Sequence, residues 1–240
     1  MEAKEMIFLR KSVRSYTNEP VTPELLAKIY AMELTPLYPE IAVRWEIVGR
    51  DQVKCICPWT TPQVITIYSQ KAEGDLENIG FLFQQLELRL QAMGLGVCWL
   101  GMGQLNQQAA PNRQDDMQFR IMLAFGHPKG HALREGPQEF RRKTLSQIAD
   151  HPDERLEPAR LAPSSVNSQP WYFTHDGGCL HVYCTTAGLL QSKARQDMNR
   201  IDIGIALAHL WISNPDTFRF FRTENAPVKK KYLYIGTITL

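Results

Sequence analysis

Residues 162–171 read Ala162-Pro163-Ser164-Ser165-Val166-Asn167-Ser168-Gln169-Pro170-Trp171. Proline fixes the backbone near the start of this stretch, and short hydroxyl and amide side chains follow it. Ser164, Ser165 and Asn167 can each donate and accept hydrogen bonds, which suits a polar ligand. The stretch therefore predicts a ligand-binding loop that leads into a strand at Trp171. The alternative is a polar loop without a ligand.

A second stretch, Arg10-Lys11-Ser12-Val13-Arg14, places three cations and a hydroxyl close together. Side chains alternate along an extended backbone, so Arg10, Ser12 and Arg14 are expected to share one face. Arginine binds phosphate through two parallel charge-assisted hydrogen bonds. The stretch therefore predicts a phosphate site, and a solvated basic surface is the alternative.

The composition limits the classes of protein to consider. The chain has 240 residues, of which 44% are hydrophobic, and 27 basic against 25 acidic side chains give a formal charge of +2. This balance gives no reason to expect a nucleic acid or an anionic membrane as partner. Five cysteines are an odd number in a chain of this size, which favours reduced thiols and a cytoplasmic location. No apolar run approaches the ~20 residues of a membrane span.

Periodic apolar patterns predict the helices and strands. Thr22 and Pro23 are suited to begin a helix, and Gly94 is suited to end one. Helices are predicted over 21–33, 75–93 and about 197–213, and strands over 43–48, 64–68, 96–100, 119–126, 171–174, 180–184 and 231–236. The predicted fold class is α+β, a mixed sheet flanked by helices with the two long helices packed centrally.

With these two stretches the sequence resembles the nitroreductase family of FMN-dependent oxidoreductases. The resemblance implies that Arg10, Lys11, Ser12 and Arg14, here called the phosphate cluster, bind the FMN phosphate. In that family both motifs lie close together near the start of one subunit. Here much of the chain separates Arg10 from Pro163.

The resemblance also implies roles for the stretch after Ala162. Pro163, Ser164, Ser165 and Asn167 are expected to contact the flavin ring edge and the ribityl chain. In the family this loop comes from the partner subunit. Arg142 is the expected second cation at the phosphate, and a basic surface loop is the alternative.

Two further positions follow from the resemblance and the local pattern. Leu100 and Gly101 match the loop near the flavin N5, where glycine lets backbone N–H groups approach the ring. Simple turn residues are the alternative. Asp202 lies in an apolar helix and is expected to be structural, at a helix–helix interface.

The two halves of the chain share a weak repeat. The corresponding segments are 78–81 with 202–205, Trp45 with Trp171, and 120–126 with 231–236. Their common order predicts an internal duplication with halves 1–140 and 141–240 that together form one compact unit. The alternative is two unrelated halves with chance matches.

The motifs are divided between these halves. The first half has the phosphate cluster, but 35–39 stand where a Pro-Ser-Ser-X-Asn loop belongs. The second half has that loop but lacks a full basic cluster around 142–148. One chain is therefore expected to mimic a family dimer and to bind one FMN, so that a monomer suffices.

The predicted function is an FMN-dependent oxidoreductase. It would take a hydride from NADH or NADPH and reduce a nitro compound, a quinone or a similar electron-poor small molecule. The flavin carries this chemistry, so no catalytic acid–base pair is required. A flavin enzyme for a dedicated metabolite is one alternative. A flavin-binding or flavin-free protein without turnover is the other.

Overall fold

A computed structural model describes residues 1–54, 57, 59, 61–106, 116–186, 192–224 and 226–240. The chain forms two compact units. The first comprises Met1–Asp75 and Leu86–Glu135, and the second comprises Leu76–Gln85 and Gly136–Leu240. The predicted halves, 1–140 and 141–240, differ from these units because the middle of one helix belongs to the second unit.

The first unit contains a four-stranded sheet. Its helices are α1 (Ala3–Leu9), α2 (Pro23–Tyr30) and both ends of α3 (Asp75–Ala92). Its strands are β1 (Val43–Gly49), β2 (Val53–Lys54), β3 (Gln63–Gln70), β4 (Gly96–Leu100), β5 (Gln104–Leu105) and β6 (Met117–Gly126). The sheet order is β1-β3-β6-β4, and β2 pairs with β5 separately.

The second unit contains another four-stranded sheet. Its helices are α4 (Leu145–Ile148), α5 (Glu157–Arg160), α6 (Lys193–Ser213) and the middle of α3. Its strands are β7 (Trp171–Asp176), β8 (Cys179–Thr185), β9 (Arg219–Phe221) and β10 (Tyr232–Thr239). The sheet order is β7-β8-β10-β9.

Both sheets have the same strand order. In each, two adjacent strands precede a long helix: β1 and β3 precede α3, and β7 and β8 precede α6. The strand after the helix, β4 or β9, lies at the edge of its sheet. The last strand, β6 or β10, lies between this edge strand and the second strand, β3 or β8. A repeated unit is expected to have this common topology.

The predicted mixed sheet is wrong, because every pair of neighbouring strands in both sheets is antiparallel. β3 and β4, which α3 connects, run in the same direction, but β6 lies between them and antiparallel to both. The helical connection therefore produces no parallel pair. Among the described residues, parallel pairing outside the strands occurs as single bridges, Ser12–Val97 and Ala149–Phe173.

The predicted helices are confirmed, with small changes in their bounds. At the start of α2, the Thr22 hydroxyl accepts a hydrogen bond from the Leu25 N–H at 3.4 Å. After α3, Gly94 adopts a positive φ of 85°. Ser192 caps α6, which therefore begins earlier than predicted. The predicted strands are confirmed as β1, β3, β4, β6, β7, β8 and β10. The elements that were not predicted are α1, α4, α5, β2, β5 and β9.

The two long helices pack closely within the second unit. Gly80 of α3 faces the backbone of α6 at Ile201 and Ile205, and Gly204 of α6 faces the backbone of α3 at Glu77. A side chain at either glycine would collide with the other helix. Among the described residues, no helix is both long enough and apolar enough to span a bilayer.

Candidate functional site

The predicted site residues fall in both units. The first unit holds Arg10, Lys11, Ser12, Arg14, Leu100 and Gly101, and the second holds Arg142, Pro163, Ser164, Ser165 and Asn167. Ligand binding by either group stays a prediction.

Arg10 is the buried member of the phosphate cluster. It follows α1 and is 1% exposed. Its Nε donates to Oε1 of Glu87 in α3 at 2.9 Å, and its Nη2 donates to Oγ of Ser12 at 3.1 Å. Glu87 is buried and also accepts a hydrogen bond from Gln91. A buried carboxylate requires such partners because its desolvation is costly. Arg10 therefore neutralises Glu87 inside the first unit.

The other cations of the cluster lie nearer the surface. Arg14 is exposed and has no hydrogen bond or ion pair with any described residue. Lys11 is half-buried, and its Nζ donates to the carbonyl oxygen of His131 at 3.5 Å. Ser12 is fixed by its bridge to Val97 of β4. The cluster thus offers one exposed guanidinium and one weakly held ammonium.

The expected common face of Arg10, Ser12 and Arg14 is not observed, since Arg10 is buried and Arg14 is exposed. All three residues nevertheless act on the pKa of one thiol, that of Cys98 in β4. Burial raises the pKa of Cys98, while the charges of Arg14 and Arg10 and a hydrogen bond with Ser12 act to lower it. Glu87, the ion-pair partner of Arg10, acts to raise it, so Arg14 is the exposed positive charge of this group.

The turn after β4 contains the residues predicted to lie near a flavin ring. Leu100 ends the strand and is buried, whereas Gly101 is exposed. A side chain at Gly103 would collide with Met122 of β6. A Cβ at 103 would therefore require the flexible Met122 side chain to shift, and the turn exposes backbone at 101. An exposed backbone is compatible with the predicted approach to a planar ring.

In the second unit, the segment Pro163–Gln169, here called the polar loop, has a strained backbone. Val166, Asn167 and Gln169 have positive φ values of 46°, 56° and 49°. Elsewhere among the described residues, Lys231 is the remaining non-glycine residue of this kind. Positive φ is a genuine outlier for a β-branched residue, and such strain concentrates at functional sites. Val166 is 80% exposed, so packing of its side chain does not explain the strain.

Several hydrogen bonds stabilise the polar loop. The Gln169 N–H donates to Oγ of Ser164 at 2.9 Å, and Gln169 Nε2 donates to the Asn167 carbonyl oxygen at 3.1 Å. The N–H of Lys143 donates to Gln169 Oε1 at 2.6 Å, and its Nζ donates to the Gln169 carbonyl oxygen at 2.8 Å. Burial lowers the pKa of Lys143. Gln169 is thus the main internal support of the loop.

The structure brings together Arg142 and Asn167, which are distant in sequence. Arg142 Nη1 donates to Asn167 Oδ1 at 2.7 Å, and Asn167 Nδ2 donates to the Arg141 carbonyl oxygen at 2.9 Å. Arg142 Nε donates to the carbonyl oxygen of Ala162 at 3.0 Å, and the guanidinium lies 5.4 Å from the centre of the Phe140 ring. Arg142 therefore fixes the orientation of the Asn167 amide.

Asp202 of α6 binds the backbone of the polar loop. Its Oδ1 and Oδ2 lie 3.1 and 3.0 Å from the backbone nitrogen of Ser165. Burial raises the pKa of Asp202 to about 8, while the Ser165 N–H and the charge of Arg195 act to lower it. The sequence predicts a structural role for Asp202, and the structure adds this contact with the loop.

Sequence reasoning missed three residues that support the candidate site: Lys143, Gln169 and Glu87. Gln169 stands in the stretch that drew attention to the loop, so its role had a local signal. Glu87 had none, because the apolar period of α3 gives no indication that its polar residues are buried. Its partner Arg10 is distant in sequence, and only the tertiary fold joins the two.

The chain is similar to a known protein family and to several solved structures. A family model described as "Putative TM nitroreductase" matches residues 2–214. The solved structure of a putative nitroreductase from Thermotoga maritima matches 99% of this chain and 92% of its own, with a TM-score of 0.67 and 20% identity. This likeness shows the fold. The curated proteins contain no match to the sequence.

Two other solved structures match part of the chain. A nitroreductase family protein from Clostridium difficile 630 has a TM-score of 0.47 and 16% identity, covering 62% of this chain and 96% of its own. An FMN-dependent nitroreductase from Clostridium difficile R20291 has a TM-score of 0.42 and 15% identity, covering 59% and 99%.

Proposed function

The chain belongs to the family described as "Putative TM nitroreductase", and we propose that it is an FMN-dependent oxidoreductase of that family. NADH or NADPH is the proposed hydride donor. A nitro compound, a quinone or a similar electron-poor small molecule is the proposed acceptor. One of the similar structures, from Clostridium difficile R20291, is named an FMN-dependent nitroreductase, and FMN dependence is proposed here for this chain.

The strained polar loop is the observation that carries this proposal. Three non-glycine residues with positive φ cost of order 1–3 kcal/mol each, and such strain is retained where the surrounding contacts enforce it. Here Arg142, Lys143 and Asp202 supply those contacts. They hold an exposed Asn167 whose amide and backbone suit the polar edge of a planar ring.

Of the three cations in the phosphate cluster, the two that fit the flavin phosphate are Arg14 and Lys11. Arg14 is exposed and has no hydrogen bond or ion pair with a described residue, so its guanidinium can bind a phosphate bidentately. Lys11 adds a second positive charge with a weak intramolecular contact. Arg10 supports Ser12 and neutralises Glu87, so we assign it to the stability of the cluster.

Bound FMN would supply the hydride and electron transfer, and the chain would supply binding and orientation. Arg14 and Lys11 would neutralise the phosphate. Asn167, oriented by Arg142, and Ser165 would bind the polar parts of the cofactor. The exposed backbone at Gly101 would allow close approach of the ring. No side chain is assigned as a catalytic acid or base.

We further propose that the chain is an internal duplication that binds one FMN. The common strand order of the two sheets supports the duplication. The stoichiometry rests on the distribution of motifs: the full phosphate cluster occurs in the first unit, and the Pro-Ser-Ser-X-Asn loop occurs in the second. Neither unit carries both motifs.

Flavin binding and reduction test the proposed function. The purified protein is stripped of flavin, titrated with FMN, and mixed with NADH or NADPH without oxygen while the visible flavin absorbance is followed. Binding followed by bleaching supports the oxidoreductase. Binding without bleaching by either nicotinamide contradicts turnover and leaves a binding or sensing protein. Absence of binding contradicts the whole proposal.

A further inference from the structure

We propose that Asp202 is the positioning residue of the polar loop, anchoring its backbone at Ser165 so that Asn167 is presented to the ligand. The ligand in this statement rests on the proposed flavin function. The anchoring itself rests on the geometry of the second unit and can be tested without flavin.

The contact between Asp202 and Ser165 requires the burial of a carboxyl group, which is energetically unfavourable. Asp202 is 4% exposed, and both carboxylate oxygens face the single backbone N–H of Ser165 at 3.1 and 3.0 Å. Acidic side chains are almost never fully buried unless they are paired, because desolvation disfavours their charge. Among the described residues, the donor to both oxygens of Asp202 is this one N–H. The Asp202 side chain therefore binds the backbone of the polar loop.

The contact with Asp202 lies next to the residues of the polar loop that have positive φ values. Ser165 directly precedes Val166, the β-branched residue with a φ of 46°, and Asn167 follows with a φ of 56°. Gln169 and Lys143 hold the far end of the loop. Asp202 holds its near end, so the unfavourable dihedrals lie between two fixed points.

The first half of the chain provides an internal comparison. In the weak repeat, the segment 202–205 corresponds to 78–81, so that Asn78 stands where Asp202 would be. The first half also has Thr35-Pro36-Leu37-Tyr38-Pro39 in place of the polar loop. The buried carboxylate and the loop thus occur together in one half and are both replaced in the other.

The surroundings of Asp202 make its contact sensitive to pH. Among the described residues, Arg195 on α6 and Cys184 on β8 interact electrostatically with Asp202, and the ion pair of Arg200 with Glu77 acts on the Cys184 thiol. Burial raises the pKa of Asp202 to about 8. A carboxylate accepts a hydrogen bond more strongly than the protonated acid. The Ser165 contact therefore strengthens as the pH rises through about 8.

The anchoring is tested in the protein without flavin, by the amide NMR signal of Ser165 from about pH 6 to pH 10. The wild-type signal is expected to shift with an apparent pKa near that of Asp202. In Asp202→Asn the side chain at 202 keeps its shape but cannot titrate, so the Ser165 signal of this variant should stay constant over the pH range. Asp197→Asn, on the same helix, is the matched control and should behave as the wild type. A Ser165 signal that is identical in wild type and Asp202→Asn at every pH overturns the inference.

The ligand part is tested by FMN affinity over the same pH range. The wild type should bind more tightly as the pH rises, and Asp202→Asn should lose this dependence and bind about 10-fold more weakly at the alkaline end. If the wild type does not bind FMN at any pH, the proposed function fails while the Ser165 signal still decides the anchoring. If Asp202→Asn binds FMN with the wild-type pH dependence, the positioning role fails and the flavin function stands.

Discussion

Gly80 of α3 and Gly204 of α6 face each other's helix in a reciprocal manner. A Cβ on Gly80 would lie 3.0 Å from the backbone nitrogen of Ile205, and a Cβ on Gly204 would lie 2.8 Å from that of Phe81. Gly80 thus faces Ile205, the residue after Gly204, and Gly204 faces Phe81, the residue after Gly80. The weak repeat aligned these two glycines from the sequence alone, and their equivalent contacts support the proposed duplication.

Alanine at either glycine is expected to destabilise the protein. In a helix interior alanine is normally favoured over glycine by ~1 kcal/mol. Here the added methyl group collides with backbone, so Gly80→Ala and Gly204→Ala should lower the free energy of unfolding by about 1–3 kcal/mol. Urea unfolding measures this change. Gly178→Ala is the control, since nothing lies within 4 Å of its added Cβ. Stabilisation by either helix variant would contradict the close crossing.

Removal of Arg10 is expected to lower the free energy of unfolding. Arg10→Ala leaves the carboxylate of Glu87 buried without its ion pair, and breaking such a pair costs about 3–5 kcal/mol. Replacing both partners by apolar residues, Arg10→Met with Glu87→Leu, should recover much of the loss. Chemical unfolding of the three proteins checks this.

The control for Arg10 is the more exposed ion pair of Arg155 and Asp153, whose nitrogen and oxygen lie 2.8 Å apart. Arg155→Ala should cost no more than ~1 kcal/mol. Equal losses for Arg10→Ala and Arg155→Ala would show that Arg10 does not stabilise the interior.

Removal of Arg14 is expected to act on flavin affinity and to leave stability unchanged. A charge-assisted hydrogen bond contributes about 1.5–3 kcal/mol, so Arg14→Ala should raise the Kd for FMN by about 10- to 150-fold. The free energy of unfolding should change by less than ~0.5 kcal/mol, because Arg14 is exposed. Lys28→Ala, an exposed cation at the end of α2, is the control and should leave the Kd unchanged. An unaltered Kd in Arg14→Ala would remove Arg14 from the phosphate site.

Local sequence signals were sufficient for most elements of the fold. Thr22 with Pro23 predicted the start of α2, and Gly94 predicted the end of α3, because caps depend on residues within one turn. The mixed sheet was predicted wrongly, since strand direction depends on which strand inserts between β3 and β4. That choice is made by β6, a distant segment.

The candidate site was predicted less completely than the fold. The sequence predicted the polar loop and the phosphate cluster as binding residues, and it predicted that Arg142 and Asn167 bind the same cofactor. It did not show that Arg10 is buried, because the contact with Glu87 forms only in the tertiary structure. The anchoring of Ser165 by Asp202 was hidden for the same reason.

The proposed single flavin site is tested most directly by counting FMN. The apoprotein, at a known chain concentration, is titrated with FMN, and the bound flavin is measured from its absorbance after the free flavin is removed. The proposed division of motifs between the two units predicts saturation at one FMN per chain. Saturation at two FMN per chain, or no bound FMN, would contradict it.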